Sequence, residues 1–405
     1  MSTVLKRIVA FNKDRVPEMF ARKMEAMQSN VFSFFRGTCH LFAEDYRSGF
    51  TYKDNSHLWL CGDLHFENFG TYKDLERKVY FDINDFDEAA LGPVSFDLIR
   101  LITSFYVAAS QFKLAEKKVS LLAGELYGSY IKILQKGKPL NGYKAIRSGM
   151  ITQLINRVKK RKQEEILNKY VQPGKNPLLK SVAGHTLPVE KKINDGLKKR
   201  VNKWAKKKQL SYIALDVAFR IAGTGSLGVR HYIALLQNPV SKKLALLDIK
   251  EVEPSCLIPF HTGKQPKWKN QALRVIKAQK NIQFMPPKLL KAMSFEKTWY
   301  YLKFLQPVQD KIDISQPGNK LKMLEDAAVD LGEIVASGQL RCCGFNGADS
   351  INQLKQQILK NEEFKTAVLK YALNYSKQVD KDYAEFCKAM KKHSPLTNNK
   401  PQTRR

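Results

Sequence analysis

"CGDLHFENFG", residues 61–70, follows the apolar run Leu58-Trp59-Leu60 and sets Asp63, His65, Glu67 and Asn68 close together. Side chains of this kind do not all enter a core, because a buried carboxylate or amide without partners is costly. The stretch is either a polar turn, where Asp and Asn are ordinary residues, or a site. The sequence on either side decides between them.

Downstream, in "KVYFDINDFDEAALGPVSFDLIR", Val79, Phe81 and Ile83 alternate as a strand does, and Asn84-Asp85-Phe86-Asp87-Glu88 breaks the alternation. From Phe96 to about Lys136, Leu98, Leu101, Ile102 and Phe105 recur at helical spacing. The predicted order is strand, polar loop, strand, polar loop, helix. An Asp, a following Asn and a further Asp supply oxygen ligands for divalent ions and leave one carboxylate beside a substrate hydroxyl, as phosphoryl transfer requires. Asp63, His65 and Asn68 are therefore the candidate catalytic residues, and Asn68, Asp85 and Asp87 the candidate metal ligands. His65 is expected to orient the loop through its backbone rather than to carry a proton. The competing reading makes both loops solvated turns.

The chain has 405 residues, 43% of them hydrophobic, which suffices for a large core in one domain or two lobes. No apolar run is long enough to span a bilayer, and Met1 to Arg7 lacks the apolar core of a secretory signal, so the expected location is cytoplasmic. The six cysteines form no CxxC pair and are expected to be reduced and mostly buried. A formal net charge of +31 draws phosphates, nucleotides or nucleic acid without dictating a fold.

From Ile146 to Leu210 the sequence turns basic, with lysines and arginines at 157–162, 198–200 and 206–208 interleaved with Leu154, Ile155, Leu197, Val201 and Trp204. This predicts helices with solvated basic faces around a loop at Pro173 to Pro177. Next, Gly223, Gly225 and Gly228 spell GxGxxG, with Ser226 between them. A dinucleotide-binding loop opens a helix, and Asp248 stands where a ribose-binding acid belongs. Val229 to Leu236 instead reads as a strand, which favours a flap over nucleotide phosphates. Lys250, ending the next strand in "LALLDIKE", can reach those phosphates as a point charge and needs a carboxylate to orient it. In "FSFFRG", Arg36 is either a phosphate or carboxylate clamp, or an arginine whose stem packs while its head pairs with an acid. Beyond the second strand helical patterns dominate, ending in a polar tail.

The loop at 61–70 followed by "YFDINDFDEAALGPVSFDLIR" resembles the catalytic and metal-binding segments of the protein-kinase-like superfamily, in the form used by aminoglycoside and choline phosphotransferases. That resemblance implies Asp63 as catalytic base, Asn68 and Asp85 as magnesium ligands, Asp97 as a structural acid, and ATP with Mg²⁺ as cofactors. The chain also resembles a bacterial family known as a domain of unknown function, through Phe34-Phe35-Arg36-Gly37, the quoted loop, Asn84 to Glu88, Gly223 to Gly228 and Lys250-Glu251. Kinases place the glycine loop before the catalytic loop, whereas here it follows. The implied fold is therefore α+β, bilobal and kinase-like, circularly permuted, with a largely helical catalytic lobe. Residues 1–145 would carry the catalytic and metal loops, 146–210 a basic helical insertion, 211–290 the nucleotide lobe, 291–392 further helices of the large lobe, and 393–405 a tail. The short span from Asp85 to Gly92 leans toward a small-molecule acceptor.

Two functions from different classes follow: a magnesium-dependent phosphotransferase using ATP, with AMP transfer as a variant, or a nucleic-acid-binding or scaffolding protein with a degenerate nucleotide site. The second would bind a polyanion through residues 157–208.

Overall fold

The computed structural model describes residues 3–73, 78–109, 114–141, 146–260, 263–287, 289–305, 312, 321–359 and 362–392. Its secondary structure is mixed, and the chain has an α+β fold. Strands β1 (Leu58–Leu60) and β4 (Ala90–Gly92) pair antiparallel, as do β2 (Phe69–Lys73) and β3 (Val79–Ile83), so the two acidic loops sit at the ends of short ribbons. The helix Val94–Val107 starts directly after Pro93, whose fixed φ suits a helix start, and is buried almost all round. It packs against Glu362–Lys392, while Glu116–Lys136 packs against Leu321–Cys342. The helix Glu116–Lys136 stops at Gly137, which takes a left-handed conformation and donates to the Ile133 and Leu134 carbonyls. One continuous core joins these helices to the N-terminal helices and the acidic loops.

The second body is an antiparallel six-stranded sheet in the order β11-β12-β10-β9-β8-β7, comprising β7 (Thr186–Pro188), β8 (Ile213–Arg220), β9 (His231–Gln237), β10 (Leu244–Glu251), β11 (Leu290–Phe295) and β12 (Thr298–Phe304). One face buries Val217, Tyr232, Ala234, Leu247, Ile249 and Leu302 against Leu197, Val201 and Trp204 of the helix Lys191–Lys207. The lysines of that helix form its outward side. On the opposite face Ala218, Ile233, Leu235 and Leu246 are covered by Ile166 and Tyr170 of the helix Gln163–Tyr170 and by the two-stranded ribbon of β5 (Val171–Gln172) and β6 (Leu178–Leu179).

Two features depart from the sequence reading. The stretch 146–210 holds three helices as expected, but also β5, β6 and β7, and β7 extends the large sheet. Residues 290–304, where helical patterns were expected to dominate, form the β11–β12 hairpin. "TWYYLKF" is aromatic and β-branched, which favours a strand, and the turn at Glu296 and Lys297 has φ of 45° and 66° without a glycine to announce it. Residues 393–405 lie outside the described residues. No helix among the described residues is long and apolar enough to cross a membrane. All six cysteines are free thiols, with Cys39, Cys61, Cys256 and Cys342 buried.

Candidate active site

Asp97, the first acid of the long buried helix, builds the loop at 61–70. Its carboxylate accepts from the Cys61 amide at 2.8 Å and the Gly62 amide at 2.9 Å. Burial pushes Asp97 up to about 6 against those two bonds. Gly62 has φ of +92°, and a methyl group there would collide with the carbonyl of Glu88, so this glycine presses the two acidic loops together. Across the same seam the Cys61 thiol donates to the Asp85 carbonyl at 2.9 Å.

One turn beyond Asp97, Arg100 is fully buried and holds Asp63. Its Nε donates to Asp63 Oδ1 at 2.7 Å, its Nη2 donates to the same oxygen and to the Phe35 carbonyl at 3.0 Å, and its guanidinium lies 4.2 Å from the Phe35 ring centre. The second carboxylate oxygen of Asp63 faces Gly225, where an added Cβ would lie 3.6 Å from it. The Asn68 side chain donates to the Asp63 carbonyl, and the Asn84 amide donates to the Asn68 carbonyl at 2.8 Å.

The glycine loop joins β8 to β9 and is followed by a strand, as expected of a flap and not of a dinucleotide-binding turn. It reaches the acidic loops across 139 positions of sequence, where Ser226 Oγ donates to Asp87 Oδ2 at 3.3 Å. On its other side the N-terminal segment grips it. Arg15 donates to the Gly225 carbonyl at 2.9 Å and the Leu227 carbonyl at 2.7 Å, the buried Lys23 donates to Gly225 at 3.0 Å, and the Val16 amide donates to Gly228 at 3.0 Å. Gly228 packs against the Arg15 side chain and does not line the cleft.

Lys250, buried on β10, forms an ion pair with Asp87. Burial lowers Lys250, but the Asp87 charge outweighs it and raises Lys250 well above its usual range, while burial raises Asp87. Asp87 is the orienting carboxylate that the sequence left unnamed; Glu251 pairs instead with Arg230 and Glu253 with Arg15. Arg36 pairs with Glu67 at 2.7 Å over the Phe32 ring, while its Nε is buried without a hydrogen-bond partner. The His65 ring is buried edge-on against Phe32 and lines neither cavity.

These groups border two spaces. A chamber of about 50 Å³ under the glycine loop is lined by Asp63, Asp87, Glu88, Lys23 and Gly225. A cleft of about 860 Å³ is lined by Asn68, Lys250, Gly223 and the sheet face. Asp85, Ser226 and Arg36 border both. The candidate metal set is all oxygen, which suits a hard divalent ion, and Asp87 Oδ1 is buried without a partner in the protein. Among the described residues no group of three or more His, Cys, Asp or Glu is arranged to hold a metal, so a bound ion would draw on the Asn68 amide as well as the two aspartates.

Sequence reasoning missed Arg100, Arg15 and Lys23. Only Arg100 left a signal, a lone cation in an apolar helix three positions after Asp97. It also missed a cluster on the sheet, where Asp248 Oδ1 accepts from Arg220 and from His231 Nε2, each at 2.7 Å.

No curated protein and no solved structure matches the chain. A family model does, over residues 15–389, a span that includes both acidic loops, the glycine loop and Lys250. The chain therefore belongs to DUF2252, a family described as an uncharacterized protein conserved in bacteria.

Proposed function

We propose that the protein is a magnesium-dependent, ATP-using phosphotransferase with a kinase-like, permuted arrangement of its parts. The observation that carries this reading is the convergence of the glycine loop, Lys250 and both acidic loops on one cleft, although the two halves are far apart in sequence. A glycine loop covering phosphates, a lysine on the third strand and a helix after it are the parts a kinase uses to hold ATP. Here β8 and β9 flank the glycine loop, β10 carries Lys250, and the helix Gln271–Ile282 follows.

One part differs. In kinases the lysine pairs with a glutamate from that helix, but Gln271–Ile282 contains no acid. Its buried Arg274 donates to the carbonyls of Asp87, Ala89 and Glu253, which ties the helix to the metal loop. Asp87 takes over the glutamate's role, so lysine and metal loop are coupled directly.

In this reading Asn68, Asp85 and Asp87 would hold a divalent ion, which would supply neutralisation of phosphate charge. Lys250 then contacts the phosphates, and the amides of residues 223–228 cover them. Arg100 fixes one oxygen of Asp63 and leaves the other to accept the proton of an acceptor hydroxyl. That hydroxyl oxygen bonds to the terminal phosphorus as the bond to the departing ADP breaks. Because Gly225 covers Asp63, the tip of the glycine loop must lift for the acceptor to reach it.

The test is calorimetric titration with ATP, with and without magnesium, on wild type and Asp85→Ala. Magnesium-dependent binding lost in a folded Asp85→Ala protein is expected; absence of binding in wild type would overturn the reading. For Asp63→Ala, nucleotide binding should persist without turnover. The product's mass distinguishes phosphate from AMP transfer.

A further inference from the structure

The cleft does not end at Lys250. Beyond it the sheet face presents Arg220, His231, Asp248, Tyr301 and Lys303, and the facing wall adds Lys169 and His185. Lys303 stands opposite Asp248 in the pairing of β10 with β12. Asp248 is already occupied by Arg220 and His231. No carboxylate among the described residues lies within ion-pair distance of Lys303 or Lys169; Lys169 contacts only His185 Nε2, at 3.1 Å, and the Tyr170 ring. Lys303 is half-buried and stands opposite a carboxylate already shared by Arg220 and His231, so an incoming anion would complete its charge balance, while Lys169 is exposed and reaches in from the facing wall.

Two further groups are unfinished: Arg220 Nε and His231 Nδ1 are buried with no partner. The apolar part of the same sheet face, Ile233, Leu235 and Leu246, is sealed by Ile166 and Tyr170. What stays open toward the solvent is the part of the face that carries Arg220, His231, Asp248 and Lys303.

We infer that this end of the cleft is a second anion-binding subsite, formed by Lys303, Lys169 and Arg220, and that its ligand carries a phosphate group remote from the one at Lys250. The inference deepens the phosphotransferase reading and rests on it for the role of phosphate at Lys250. The ligand class is a compound phosphorylated at both ends: a linear polyphosphate, or a nucleotide with an extra phosphate on its ribose.

The experiment titrates inorganic tripolyphosphate, without nucleotide, into wild type, Lys303→Gln, Lys169→Gln and Lys206→Gln. Lys206 lies on the distant helix Lys191–Lys207 and controls for attraction by net charge alone. The expected result is binding weakened about tenfold by Lys303→Gln and by Lys169→Gln, and unchanged by Lys206→Gln. Equal weakening by all three, or no binding to wild type, overturns the subsite. Lys169 is exposed, so its variant tests the inference even if Lys303→Gln folds poorly. Adenosine 3′,5′-bisphosphate in a second titration separates the two sources, tighter binding than 5′-AMP favouring the nucleotide and equal binding the polyphosphate. Because the readout uses neither ATP nor turnover, a failed ATP titration with this pattern intact rejects the phosphotransferase reading and leaves the subsite standing.

Discussion

Replacing Arg100 by methionine tests the most deeply buried part of the site. Methionine keeps much of the packing against Phe35 and Phe42 but removes the charge that Asp63 and the Phe35 carbonyl share. A hydrogen bond to a charged group contributes roughly 1.5–3 kcal/mol, and stranding the Phe35 carbonyl costs about 1–3 kcal/mol. Relief of the guanidinium's own desolvation offsets part of this. The sum falls near the ~3–5 kcal/mol typical of breaking a buried ion pair from one side. Asp63→Asn should cost a similar amount by stranding Arg100. The double variant removes both charges, so its cost should lie close to either single cost, with a coupling of about 3–5 kcal/mol. Urea denaturation followed by tryptophan fluorescence reads this from the midpoints where the slope is unchanged. A cost below about 1 kcal/mol for Arg100→Met, or additive single costs, would refute the claim that Arg100 holds Asp63.

Three further outcomes follow from the geometry. Gly62→Ala should lose about 3 kcal/mol, since its φ of +92° is strained for alanine and its methyl would meet the Glu88 carbonyl; near-native stability in the same assay would show that the loops tolerate separation. His231 is held near 4 chiefly by burial, which Asp248 opposes, while its unfolded value is 6.5. As pH falls from 6.5 to 4 the unfolded chain takes up a proton that the native state refuses, so wild type should lose on the order of 3 kcal/mol relative to His231→Gln, with no further relative change below 4. Parallel pH–stability curves would refute this. Arg15→Ala removes two bonds to glycine-loop carbonyls and the pair with Glu253, so amide exchange in residues 221–229 should quicken about tenfold, whereas unchanged exchange would mean that Lys23 and Val16 suffice to hold the loop.

What could be read from the sequence was local. The alternation at Val79, Phe81 and Ile83 and the strand following Gly228 announce themselves within a few positions and lie where their patterns placed them, and the polar residues of both acidic loops, His65 apart, border the two cavities. The β11–β12 hairpin escaped because Glu296 and Lys297 adopt positive φ without the usual glycine or asparagine. The partners of Lys250, Asp63 and Asp248 escaped for another reason: Asp87, Arg100 and Arg220 are brought to them by packing between elements, and spacing along the chain carries no trace of that. Asp248, which only the disfavoured dinucleotide reading would set against a ribose, is committed to Arg220 and His231.

The grip of Lys23 on Gly225 also bears on how the molecule assembles. The two are 202 positions apart, and Lys23 is 1% exposed. While the chain is being made, the segment carrying Lys23 and the loop carrying Asp63 emerge long before the carbonyl that receives the ammonium exists. Until then a buried Lys23 lacks that acceptor, which disfavours docking of the N-terminal helices ahead of the sheet. Closure of the site thus depends on a contact of high sequence separation, the kind that tends to form slowly. The half that carries the acidic loops waits for a loop encoded in the second half of the chain.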